Sequence, residues 1–122
     1  MGYPDFTKMS VWQKSVELLL KIYRITKHFP PEEKFGLTSD MRRAANSISH
    51  NIAEGFGRYE PRDKTRFYKI SRGSGYEIMS QSIVAHKLGY IKEKNILDEI
   101  ISSITEIVKE LTALIKSLET NN

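Results

Sequence analysis

Arg62, Arg66 and Lys69 recur at steps of four and three, with Arg58 just ahead of them and Arg72 beside them. On a helix such a spacing makes one cationic stripe. Lys and Arg presented together bind phosphate, because each neutralised phosphate releases counterions and several contacts add up. Tyr59 and Tyr76 lie in the same segment and offer ring faces to an unpaired base. Arg42, on an earlier stretch, is a sixth candidate for phosphate contact. The competing reading is a solvated helix face that Glu60 and Asp63 partly neutralise.

Other residues with chemical potential lead less far. His50 and Glu54 are one helical turn apart, but two ligands are too few for a metal, and an i, i+4 surface pair explains them. Ser47 and His50 have ordinary helical spacing and no orienting acid, so they do not form an activated nucleophile. His28 and His86 stand near expected helix ends, where imidazole helps satisfy the last carbonyls. No Glu is followed three residues later by His, and zinc, P-loop and nucleophile-elbow motifs are all missing from the sequence. There is no cysteine. The sequence therefore reads as nonenzymatic, with no cofactor and no metal.

Four amphipathic stretches position these residues. In the second, Leu37, Met41, Ala44, Ala45, Ile48, Ile52 and Phe56 form one narrow apolar stripe over residues 37–57. Asp40, Arg43, Ser47, Asn51 and Glu54 line its flank, in register to hydrogen-bond along the helix or to a neighbour. Arg42, Asn46 and His50 point away. Gly55 and Gly57 suit a left-handed C-cap. The first stretch, 10–29, begins with the capping-box spacing of Ser10 and Gln13 and carries apolar residues on more than one face. It ends before Pro30 and Pro31.

The third stretch, 61–88, opens with Pro61 at a favourable first position. Its expected core side is Phe67, Ile70, Ser74, Ile78, Ala85 and Leu88, opposite the basic stripe. Gly73 and Gly75 mark close approach or a local break near Ser74. The fourth, 93–119, repeats Leu, Ile and Val at steps of three and four, and Thr120 to Asn122 reads as a frayed tail. Short connections make neighbours antiparallel. The expected fold is all-α, an antiparallel up-and-down four-helix bundle forming a single domain over residues 1–122.

Composition sets further bounds. The net charge of +4 is uneven: residues 58–92 hold eight Lys/Arg against three acids, and residues 93–122 hold three against six. An anionic partner for the basic segment is one explanation, and mutual pairing of the two segments is the other. No signal peptide is visible and no window is apolar enough to span a bilayer, which predicts a cytoplasmic protein with no membrane contact.

RRAANSISHNIAEGFGR, together with VWQKSVELLLKIY, KFGLTSDMRRAA and the pattern from Arg72 to Ile91 ending in LGYI, resembles a bacterial family. Its members were first noticed as reading frames inside intervening sequences of 23S rRNA genes. Accessory proteins of diversity-generating retroelements look like relatives of it. The resemblance implies a small basic four-helix bundle that assembles as a homo-oligomer, a pentamer in characterised relatives. It also implies RNA or DNA as a partner and, in the retroelement branch, a reverse transcriptase. The motif positions that carry over are Arg42, Arg43, Asn51, Glu54, Gly55, Gly57 and Arg58. Asn51 and Glu54 read as structural. Gly75 departs from the family, which more often has an apolar residue there.

The sequence thus predicts a nonenzymatic, oligomeric bundle that binds nucleic acid by charge and shape, with little sequence preference. An alternative is a protein-interaction adaptor whose basic face docks an acidic protein.

Overall fold

The computed structural model describes residues 2–120. Four helices carry the chain: α1 (Ser10–Thr26), α2 (Leu37–Gly57), α3 (Pro61–Lys87) and α4 (Lys94–Thr120). Short 3-10 turns at Asp5–Lys8 and Pro31–Glu33 precede α1 and α2. Each helix packs on the next, and α4 closes back on α1. The pairings run antiparallel: Lys14 reaches Glu110 while Lys21 reaches Glu99, and Ser71 meets Ile48 while Lys64 meets Phe56. This is the up-and-down bundle expected from the apolar spacing. No strand occurs among the described residues.

The core runs along the bundle axis. Leu18 and Ile22 of α1, Met41, Ile48 and Ile52 of α2, Ile78 of α3, and Ile100, Ile104, Ile107 and Leu111 of α4 are fully buried. Burial of one such side chain contributes about 1.5–3 kcal/mol.

Helix ends differ from expectation in instructive ways. Met9, not Ser10, is the N-cap of α1. The capping box does not form: Ser10 donates its hydroxyl to Glu110, and the Gln13 amide donates to the Thr7 carbonyl. The 3-10 turn ahead of α1 supplies the partner of Gln13 and α4 supplies that of Ser10, so both side chains are engaged away from the reciprocal cap. α1 stops at Thr26, three residues early, because Phe29 precedes Pro30 and is steered out of the helical region. α2 runs straight through Gly55 and Gly57 with no left-handed cap. The Lys64 ammonium donates to the carbonyls of Gly55 and Phe56, which satisfies the helix end from α3. The left-handed glycine is Gly89, at φ 85°. There Tyr90 N–H donates to Ala85 and Gly89 N–H to His86, a Schellman closure of α3. The His86 ring nitrogen meets the Ile91 carbonyl at 2.7 Å.

α3 is continuous, with no break at Ser74. Ser74, Ile78 and Ala85 face inward as expected, but Ile70 and Leu88 are exposed and Phe67 is half-buried. Thr65, Tyr68, Ser71, Gly75 and Ser82 take the inward places instead. The reason is proximity. A Cβ on Gly55 would stand 2.6 Å from the Tyr68 ring, and one on Gly75 would lie 3.4–3.5 Å from Val108 and Ile104. α3 sits too close to α2 and α4 for large side chains along most of that face. Thr120 belongs to the last turn of α4, its hydroxyl donating to Lys116. The rest of the expected frayed tail, Asn121 and Asn122, lies outside the described residues.

Candidate nucleic-acid interface

The α2–α3 turn is three residues long, so the end of α2 and the first turns of α3 present their side chains together. Phe67 lies between two guanidinium groups, with Arg58 and Arg66 each 4.6 Å from its ring centroid. A guanidinium over an aromatic face is attracted by the ring quadrupole, which favours these positions for the two cations. Arg62 and Arg66 are exposed and line a shallow groove with Asp63, Thr65 and Lys69. Tyr59, at the tip of the turn, is 91% exposed.

The remaining cations are tethered lightly. Arg58 also pairs with Glu54 at 3.0 Å, and Lys69 pairs with Glu119 at 2.9 Å. Arg72 donates to the Thr112 hydroxyl at 3.2 Å. Exposed pairs of this kind are worth about 0–1 kcal/mol, so a phosphate can displace them. Mutual neutralisation of the two charged segments is confined to Lys69 among the described residues; α4 gives Glu110 and Glu99 to Lys14 and Lys21 of α1 instead.

Arg42 stands apart. It lies sixteen residues before Arg58 along α2, about 24 Å away at 1.5 Å per residue. Its guanidinium lies 4.5 Å from the Tyr23 ring centroid, and its Nε donates to the Thr26 hydroxyl at 2.9 Å. Asn46 extends this contact by donating to the Tyr23 hydroxyl. Arg42 therefore joins α2 to α1.

The flank of α2 bonds both along itself and across to α3. Arg43 pairs with Asp40, and the Asn51 amide donates to the carbonyl and hydroxyl of Ser47. Ser74 of α3 donates to the same Ser47 hydroxyl at 2.8 Å. Glu54 bonds Arg58, not His50. Tyr68 requires glycine at Gly55, whereas a methyl at Gly57 would find nothing within 4 Å. No group of three or more metal-ligating residues occurs among the described residues. No helix is long and apolar enough to cross a membrane.

Two participants are not evident from the sequence. Apolar spacing puts Phe67 in the core, yet it is the ring that orders Arg58 and Arg66; its position next to Arg66 is the available signal. Lys64 reads in the sequence only as charge, and no local pattern reveals that it caps α2.

A model of the 23S rRNA-intervening sequence protein family matches residues 7–113. The chain belongs to that family. The match takes in the whole of α1, α2 and α3, including the α2–α3 turn and its cations, and most of α4. A crystal structure from Bacteroides thetaiotaomicron VPI-5482, described as a protein of unknown function from the S23 ribosomal protein family, has the same fold. It superposes with a TM-score of 0.80 at 24% identity, covering 87% of this chain and 98% of that one. No curated protein matches the chain.

Proposed function

We propose that this member of the 23S rRNA-intervening sequence protein family is a nonenzymatic nucleic-acid-binding bundle. Arg58, Arg62, Arg66, Lys69 and Arg72 contact phosphate, and Tyr59 stacks on an unpaired base. The observation that carries this reading is the Arg58–Phe67–Arg66 stack, which holds two guanidinium groups beside the exposed Arg62. The family description, with its tie to rRNA, supports RNA as the ligand class. Contacts of this type read backbone charge and shape, so sequence preference is slight. Arg42 adds a phosphate contact only by leaving Tyr23 and Thr26.

The family resemblance further supports a homo-oligomer, with a five-membered ring as its form. A ring would multiply the stripe and its avidity. The resemblance to accessory proteins of diversity-generating retroelements supports a role as accessory to an RNA-processing or reverse-transcription complex. Fluorescence anisotropy with an RNA hairpin and a single-stranded DNA tests the site. Arg62→Glu/Arg66→Glu should weaken binding at least tenfold while Arg42→Glu weakens it little. Equal binding by wild type and the double variant would remove the site from α3. If the RNA and the DNA both fail to bind wild type, the nucleic-acid reading is wrong and an acidic protein becomes the partner to seek.

A further inference from the structure

Four glycines lie inside the helices, and they divide into two kinds. Gly55 and Gly75 are buried, Gly55 against the Tyr68 ring and Gly75 against Val108 and Ile104. Gly57 and Gly73 have no such neighbour: a Cβ at either would meet nothing within 4 Å, and neither φ is positive. Glycine is among the poorest helix formers, so the bundle itself gains nothing from it at these two places. What glycine does allow is close approach of another molecule to the backbone.

Both positions adjoin the cationic face. Arg62, Arg66 and Lys69 run along α3 at steps of four and three, Gly73 is the next residue on that line, and Tyr76 follows it. At the other end Gly57 directly precedes Arg58, and Tyr59 comes next. Gly57 opens on a shallow cleft of about 530 Å³, where Ala53 is the other small residue. Tyr59 is 91% exposed and Tyr76 55%. The run of cations is thus bounded at each end by a bare glycine and an exposed tyrosine.

Resting on the nucleic-acid reading above, we propose that this face takes a single strand and rejects a duplex. Gly57 and Gly73 are the points where the sugar-phosphate backbone comes down onto the helices, and the bases beside them stack on Tyr59 and Tyr76. A base that stacks on a side chain must be unpaired, which a duplex does not offer. Charge decides what covers the two glycines. Arg58 adjoins one, and Lys69 and Arg72 adjoin the other, so the complement is a polyanion and not an apolar helix. From Pro61 to Gly73 the track follows α3 for about 18 Å at 1.5 Å per residue. The glycines therefore set where the strand enters and leaves, and the cations hold what lies between.

The test compares a short RNA, single-stranded and annealed to its complement, by fluorescence anisotropy with the full-length chain. Wild type should bind the single strand about tenfold or more tightly than the duplex. Gly57→Leu and Gly73→Leu should each weaken the single strand about fivefold or more and leave its log–log salt slope unchanged, because no cation is lost. Both variants should melt no lower than wild type, since leucine favours the helix. Ser102→Leu, on the exposed surface between α1 and α4, should bind as wild type does. Tyr59→Ala and Tyr76→Ala should each cost the single strand about fivefold or more and the duplex little. Both rings are exposed, so these variants decide the matter if a leucine variant loses helicity. Equal binding of the duplex, or leucine variants that bind as wild type, would overturn the proposal and leave the cationic site standing. A change of light-scattering mass with either leucine would assign that glycine to a second copy of the chain and overturn it too. Failure of wild type to bind either RNA would remove the nucleic-acid reading, and this inference with it.

Discussion

Gly55 and Gly57 are two residues apart in the same helix and have opposite reasons to be glycine. A methyl at Gly55 would enter the buried Tyr68 ring, 2.6 Å from Cε1. A methyl at Gly57 would meet nothing. Gly55→Ala should therefore lower stability by about 1–3 kcal/mol, the usual cost of overpacking. Gly57→Ala should raise it by up to about 1 kcal/mol, since alanine is the better helix former and φ is already helical. Chemical denaturation of the two variants checks both signs. The sequence pattern pairs these glycines as one C-cap, because spacing alone cannot show that Lys64 caps the helix or that Tyr68 lies against one glycine and not the other. The flank of α2 is more legible. Residues in register at three and four can bond only along the helix or to a neighbour, and Ser47, Asn51 and Ser74 do both.

At the scale of elements, α1, α2 and α4 can be read because large apolar residues mark their buried faces. α3 misleads because its inward face is built from small and hydroxyl-bearing residues. Ser71, for example, is fully buried and donates to the Ile48 carbonyl at 2.9 Å. Hydrophobic periodicity cannot see such a face, and it picks out Ile70 and Leu88, which point outward. The connections between elements depend on polar contacts that no periodicity encodes. Glu33, in the 3-10 turn before α2, accepts Leu37 N–H at 3.0 Å and the Tyr90 hydroxyl at 2.9 Å, joining the α1–α2 and α3–α4 connections. The Leu37 N–H first, and the Tyr90 hydroxyl second, hold the Glu33 carboxyl below its ordinary value of 4.5. A depressed carboxylate contributes stability that is fully present above its unfolded pKa and is lost as pH falls through its folded pKa. Glu33→Gln should melt lower than wild type at neutral pH, and the gap should close as the solution is taken well below pH 4.5. A gap that persists unchanged in acid would mean the substitution acts through packing instead.

At the scale of the whole molecule, charge is sorted by helix. Carboxylates of α4 hold α1 through Lys14 and Lys21, and the cations of the α2–α3 end are left largely open to solvent. The sequence shows the imbalance of the two segments. It does not show which helix the acids of α4 face, since that depends on the order of packing around the bundle. The resulting one-sided field is what a polyanion would meet first. The salt dependence of binding to a short single-stranded RNA is the measurement to make. Five phosphate contacts predict a log–log slope of about −3.5, from roughly 0.7 per phosphate on a single strand. Arg62→Glu/Arg66→Glu should flatten that slope by about 1.4, roughly 0.7 for each cation removed. A slope near zero for wild type, or the same slope for both proteins, would contradict the claim that this face binds nucleic acid.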